Sequence, residues 1–346
     1  MLDAAPLLEH LLANEALSQA QSFNLFNSVM HGEQSDVMLA SLLTALKMKG
    51  ESPNEIAGAA SAMVSNARPF PSPDYAFADI VGTGGDGHNT INISSAAGVV
   101  AASCGVRVAK HGNRSVSSRS GSADLFREFG VALEIEPHIA RQCLDDAGFC
   151  FLYAPVYHSG MRFAAPVRAA MKTRTLFNIL GPLANPASPT HGLFGVYSPA
   201  LLEPYARTLM LLGQHRAMIV HGDGLDELAL HGESVIIDLE HGDTRTIRVT
   251  AADFGLPAYP LSAIEGGEPE DNKKYIEDAL CGEGKEAHRA AIAMNCGALL
   301  TLTGHAENFA SGAEMAMEAM RESRPLTVLQ RVAAISQQEK TNAERA

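Results

Sequence analysis

The sequence predicts an α/β protein: a small all-helical domain followed by a larger α/β domain with a mostly parallel central sheet. Three observations predict it. Residues 1–67 carry helical patterning with recognisable start and stop signals, a proline-rich stretch at 68–73 ends that pattern, and beyond it strand-like runs alternate with short helical ones. Alternation of that kind is the signature of βαβ units.

Within 1–67, SDVMLASLLTALKMKG places Ser35 as a helix N-cap, Lys47 and Lys49 in the last turn and Gly50 as the stop. Ser52-Pro53-Asn54-Glu55 then reads as a capping box with proline at the first helical position. Arg68-Pro69-Phe70-Pro71-Ser72-Pro73 reads as a linker, because each proline lacks a donor and restricts the residue before it. After it come FADIV (77–81) as a strand, SSAAGVVAASCG (94–105) as a helix, VRVAK (106–110) as a strand and SADLFREFG (122–130) as a helix. Residues 166–180 return to a helical pattern, which GPLANPASP ends. LFGVYS and AMIVHG are strand-like, 228–237 and 244–249 look like a meander, and helices resume from about Lys273. His221, His231 and His241 recur every ten residues and read as polar turns between strands.

Composition narrows the function. With 346 residues, 46% hydrophobic and 19% charged, the chain buries a sizeable core, which is aliphatic because aromatics are 6% and Trp is absent. Lys and Arg number 26 against 39 Asp and Glu, a net charge of −13 that repels a phosphate backbone and argues against nucleic acid. No 18-residue apolar run exists, so a membrane span is not expected. The N-terminus lacks the basic start of a secretory signal, and five scattered cysteines without a CxxC pair read as reduced thiols, so a cytoplasmic location is expected.

The sharpest local signal is Asp79-Ile80-Val81-Gly82-Thr83-Gly84-Gly85-Asp86-Gly87. A strand running into four glycines and then a helix gathers backbone N–H groups and the helix's positive end around one point, a cradle for phosphate. Taken literally GTGGDG fits the dinucleotide fingerprint, but that needs an acidic residue about 20 positions on to hold a ribose. No Asp or Glu lies between Asp86 and Asp124. Lys110, His111, Asn113 and Arg114 occur there instead and suit further phosphate. Ser94 and Ser95 open the next helix as N-caps, with hydroxyls that also suit phosphate or magnesium. Asp223-Gly224-Leu225-Asp226-Glu227 follows another strand, and adjacent carboxylates beside a polyphosphate imply a divalent ion between them. Ligands of open α/β sheets bind beyond the carboxyl ends of the strands, so these loops should be neighbours. The residues alone thus give an α/β enzyme for a magnesium-complexed phosphorylated substrate.

Taken together GTGGDG…TINISS, KHGNRSVSS…GSAD, RTLFNILGPLANPA, HGDGLDEL and the N-terminal LLTALKMKGESPNEIAGAASAM resemble the anthranilate phosphoribosyltransferase family, in register over roughly residues 15–300. GTGGDG is shared with related nucleoside phosphorylases; KHGNRS with RTLFNILGPLxNP is far more specific. The resemblance implies a helical domain of residues 1–70 plus about 166–190, hinged to an α/β domain of 74–165 plus 191–346, and a homodimer through the helical domains. It implies 5-phosphoribosyl 1-pyrophosphate and anthranilate as substrates, with Mg²⁺. By motif position, Gly82, Thr83, Gly85, Asp86, Asn92, Ser94, Ser95, Lys110 and the loop ending at Ser122 would hold the donor. Ser94, Asp226 and Glu227 would face magnesium, and His111, Asn113 and Arg168 would meet anthranilate, Arg168 opposing its carboxylate.

Breaking the ribose C1–O bond puts negative charge on pyrophosphate, and an aromatic amine is neutral at pH 7, so no side-chain general base is expected. The chain departs from the family's usual pattern at Ser95 (commonly Thr), at His158-Ser159-Gly160-Met161 (usually His-Pro-Ala-Met) and at 168–174, RAAMKTR (often Arg-Arg-x-Leu-Gly-x-Arg). A pyrimidine nucleoside phosphorylase would need lysine- and arginine-rich base-binding motifs that are not evident. A nucleic-acid-binding relative would need a basic stripe that the charge of −13 opposes.

Overall fold

The computed structural model describes residues 2–114 and 119–338. The first four helices are Ala5–Leu12, Gln19–Met30, Asp36–Lys49 and Pro53–Ser65. Their ends follow local chemistry. The Ser35 hydroxyl accepts the Met38 N–H, Gly50 closes that helix at φ 86°, and Ser52 and Glu55 form the reciprocal capping box. Residues 68–73 carry no regular structure, as the prolines require.

Seven strands follow: β1 Ala78–Gly82, β2 Val108–Gly112, β3 Phe149–Tyr153, β4 His191–Gly195, β5 Arg216–Gly222, β6 Ser234–Glu240 and β7 Asp243–Val249. They form one sheet in the order β3-β2-β1-β4-β5-β6-β7, parallel from β3 through β5, with β6 and β7 antiparallel at one edge. The meander thus starts at Ser234, and 228–233 is a connection. His221 lies inside β5 and is buried, whereas His241 does sit in the β6–β7 turn.

Side-chain alternation splits the core between the two sheet faces. Met218, Val220 and Ile236 pack on one side with the helices Ile93–Ser103, Pro137–Ala147, Glu286–Leu302, Phe309–Arg321 and Arg324–Ser336. Ala217, Ile219, Ile237 and Leu239 pack on the other with the helix Leu202–Leu211, the four N-terminal helices and residues 164–184. The helical part is therefore seated on the sheet through one continuous apolar core.

The expected helix at 166–180 is broken. Ala165–Met171 is helical, Lys172 turns left-handed at φ 47°, and Phe177–Leu180 resumes for one turn after Thr175 N donates to Asn178 Oδ1 at 2.9 Å. No described helix is long and apolar enough to cross a membrane.

Candidate active site

Strand order reverses at β1, since β2 and β3 extend the sheet to one side and β4 and β5 to the other. A crevice at the carboxyl ends of parallel strands at such a switch point is where open α/β sheets bind ligands. Gly82 through Gly87 leave β1 at this point, and Gly84, Gly85 and Gly87 take φ of 66°, 76° and 88°, conformations that only glycine adopts without strain.

Gly82 serves a different need. A Cβ there would overlap the Asp226 carboxylate, and one on its β4 partner Gly195 would overlap the Asp226 backbone. Two positions without a Cβ on adjacent strands thus admit the loop that follows β5. Asp226 Oδ2 accepts the Gly84 N–H at 2.6 Å, and Glu227 Oε1 accepts the Ser94 N–H at 2.9 Å. Thr83 is pinned to the extension of β4, with its N–H on Gly195 O at 2.9 Å and its hydroxyl accepting the Tyr197 N–H at 3.1 Å.

Ser94 and Ser95 do not cap the helix, contrary to expectation. Asn92 holds the N-cap position without a side-chain cap bond, Ser94 lies in the first turn with Glu227 as its acceptor, and Ser95 is buried. A carboxylate from 133 residues away does the work a local hydroxyl was expected to do.

Lys110 comes from β2 and is 2% exposed, with its ammonium donating to Ile80 O and lying 3.5 Å from Ser94 Oγ. Burial pushes its pKa down, and Asp79, Glu227 and Asp226 pull it back up. Asp79 is fully buried on β1. Its carboxyl is driven up to about 6 by burial, against the Lys110 charge and the Asn185 amide, which donates to Oδ2 at 2.8 Å. Burial drives Asp226 up to about 7 with the charge of Asp86 adding to it, and burial drives Glu227 up with Asp226 adding. The charge of Asp86 disfavours ionisation of both Asp226 and Glu227, a repulsion that a cation would relieve.

The donor set fits Mg²⁺, a hard ion satisfied by carboxylate and hydroxyl oxygens and by substrate phosphates. Among the described residues, no three His, Cys, Asp or Glu side chains converge as a metal site by themselves. Protein oxygens would thus supply part of the coordination and a phosphorylated substrate the rest.

On the other side of Lys110, His111 is buried against His158 with rings 5.2 Å apart, and its Nδ1 lies 3.2 Å from Gly181 O. Burial holds it down at about 3, so it is neutral, and among the described residues Nε2 has no partner. Asn113 is exposed, its carbonyl accepting the Ala123 N–H at 3.2 Å. Ser122 starts the Ser122–Glu128 helix next to Gly112. Of the loop expected to end at Ser122, residues 115–118 lie outside the described residues.

Arg168, on the Ala165–Met171 helix, is half-buried over the Phe177 ring at 5.4 Å. Burial lowers its pKa, and among the described residues no carboxylate pairs with it. Arg174, from the same excursion, donates to Gly85 O and stacks at 4.2 Å on Tyr197, joining this segment to the glycine loop. Asp79, Asn185 and Arg174 escape the sequence reading as site residues, although all three sit inside segments it singled out.

Comparison with known proteins bears on the fold and the family. Residues 5–67 match the helical bundle domain of a glycosyl transferase family and residues 74–324 its a/b domain. The anthranilate phosphoribosyltransferase of Tolumonas auensis is 54% identical over 96% of this chain and 99% of that one, and that of Aeromonas hydrophila 52% identical over 97% and 98%. Among solved structures, the Thermus thermophilus anthranilate phosphoribosyltransferase superposes with a TM-score of 0.91 at 40% identity, over 95% of this chain and 99% of that one. The Saccharomyces cerevisiae enzyme in complex with PRPP and Mg does so at 0.88 and 27% identity, over 96% and 97%. With both domains of the glycosyl transferase family matched in order, and with these relatives spanning nearly its full length, the chain belongs to the anthranilate phosphoribosyltransferase family.

Proposed function

We propose that the crevice at the β1/β4 switch point binds 5-phosphoribosyl 1-pyrophosphate with Mg²⁺ and presents its ribose C1 to anthranilate. The chain transfers the 5-phosphoribosyl group to the anthranilate amine, giving N-(5-phosphoribosyl)anthranilate and pyrophosphate. The C1–O bond breaks with both electrons leaving on pyrophosphate, the amine nitrogen bonds to C1, and the amine proton passes to solvent.

The observation that carries this reading is the buried Lys110 ammonium, held on Ile80 O of β1 and 3.5 Å from Ser94 Oγ, in the field of the Asp226–Glu227 pair. Gly82, Thr83, Gly85 and Asp86, with Ser94, Ser95, Asn92 and Ser122 around them, form the donor side. Asp226, Glu227 and Ser94 would hold magnesium, which when bound supplies positive charge to the departing diphosphate. Lys110 adds a fixed positive charge in a site of low dielectric, where it acts with no reorganisation as the leaving group develops charge. No general base is invoked. Neutral His111, its Nε2 unpaired among the described residues, suits an N–H of the acceptor better than proton abstraction. Incubating the protein with 5-phosphoribosyl 1-pyrophosphate, anthranilate and Mg²⁺ should quench anthranilate fluorescence; folded protein that leaves it unchanged contradicts the reading.

Arg168 supplies the acceptor carboxylate's partner, because a half-buried guanidinium without a protein counter-ion is costly unless a ligand brings one. Arg168→Ala should raise the anthranilate KM far more than the donor KM, and equal shifts in steady-state kinetics would remove Arg168 from the carboxylate. The enzyme works as a cytoplasmic homodimer joined through its helical domains, a reading supported by Val37 and Met48, 78% and 83% exposed on one helix. A monomer by sedimentation would contradict it. The helical part hinges against the sheet domain across the 68–73 linker, and the Arg174 bond to Gly85 is one contact that such motion would make and break.

A further inference from the structure

Asn272, on the helix Pro269–Leu280, is remote in sequence from every motif above, yet it ties together the loops on the donor side. Its side chain is 2% exposed. Oδ1 accepts the Gly267 N–H at 2.7 Å, and Nδ2 donates to Asn92 Oδ1 at 3.1 Å. The same Asn92 oxygen accepts the Ser120 hydroxyl at 3.3 Å, and Asn92 Nδ2 donates to Ser120 O at 3.1 Å.

A carboxamide oxygen has two lone pairs and its nitrogen two hydrogens. Both lone pairs of Asn92 are therefore taken, and one hydrogen is left after Ser120. Since Asn92 makes no cap bond to its own helix, its orientation is set by Asn272 and Ser120. The segment leading to Asn272 is itself docked on the chain leaving the glycine loop. Ile91 N donates to Ile264 O at 3.1 Å, Gly266 N donates to Asn89 O at 2.7 Å, and Thr90 pairs with Glu265. Beside this contact, Gly87, His88, Arg119 and Leu261 line a cavity of about 300 Å³.

We propose that Asn272 is a positioning residue for the phosphoribosyl donor. It fixes which way the Asn92 carboxamide faces, and through Asn92 it fixes Ser120 at the end of the loop that follows β2. One Asn92 N–H and the flanking loop backbone then meet the donor in a single arrangement instead of several. The inference rests on the donor reading given above.

A role acting through Asn92 is separable from a strut that merely holds Gly267. In a double-mutant cycle, donor affinity is measured by calorimetry with 5-phosphoribosyl 1-pyrophosphate and Mg²⁺ on four full-length proteins: wild type, Asn92→Ala, Asn272→Ala and the double variant. Asn272→Ala is expected to weaken donor binding roughly fivefold, the effect of one lost hydrogen bond, and to add nothing in the Asn92→Ala background. The anthranilate KM should not move. Asn272→Asp keeps the acceptor for Gly267 N and turns an acceptor toward the Asn92 oxygen, so it should weaken the donor at least as much as alanine does; it also serves where the alanine variant does not fold. Wild-type donor affinity in both variants, or additive effects in the cycle, would overturn the proposal while leaving the donor reading intact. A wild type that binds no donor would overturn both.

Discussion

Lys110→Met is expected to lower kcat/KM for the donor by roughly 10²–10³-fold, the range seen when one preorganised group that stabilises developing negative charge is removed. The same change should destabilise the fold by about 3 kcal/mol, because it strips a buried carboxylate, Asp79, of its counter-charge. The two effects come apart in a second variant. Adding Asp79→Asn removes the orphaned charge while keeping an oxygen toward the Asn185 amide, so the double variant should regain most of the thermal stability. It should regain little activity, because no cation returns to the leaving group. Activity that recovers together with Tm would make Lys110 a structural residue only.

The second large effect concerns Asp226 and Glu227. Asp226→Asn with Glu227→Gln should leave a folded protein whose activity no longer saturates at the magnesium concentration that saturates wild type, with kcat/KM lowered on the order of a hundredfold or more. Stability should move the other way. A carboxyl whose folded pKa is raised binds more protons in the folded state, so it removes stability as pH rises from about 4, the usual carboxylate value, toward the folded value. For Asp226 that window closes at about 7. Without Mg²⁺, wild type should therefore lose stability across this interval relative to the double variant, and Mg²⁺ should restore it in wild type alone. Thermal melts at several pH values, with and without the metal, check both statements. A double variant with unchanged metal response would place magnesium elsewhere.

Much of this was legible locally. Glycines that must take positive φ leave a mark in sequence, as at Gly84, Gly85 and Gly87, and so do caps such as Ser35 and Ser52. The resemblance then tied these marks to one family, and the sheet order brings the loops after β1, β2 and β5 to one end. What stayed hidden depends on long-range pairing. The cap on the Ile93–Ser103 helix comes from Glu227, so the hydroxyls of Ser94 and Ser95 misled. Asp79 and Asn185 meet across 106 positions, which no local pattern encodes. Strand β3, FCFLY, is a short all-apolar run buried throughout, without the alternation that identifies a half-buried strand, and it goes unread together with the helix before it. The break at Lys172 is equally non-local, since Arg174 is engaged by Gly85 and Tyr197.

In the proposed reaction diphosphate departure, gripped by these loops, carries the barrier, and no protein group removes a proton in that step. The most direct measurement is the secondary tritium isotope effect at ribose C1 of the donor, taken on the chemical step in single turnover and paired with the same reaction in D₂O. A clearly normal effect at C1 with no solvent effect is the predicted result. A C1 effect near unity accompanied by a substantial slowing in D₂O would mean that proton removal, and not diphosphate departure, limits the step.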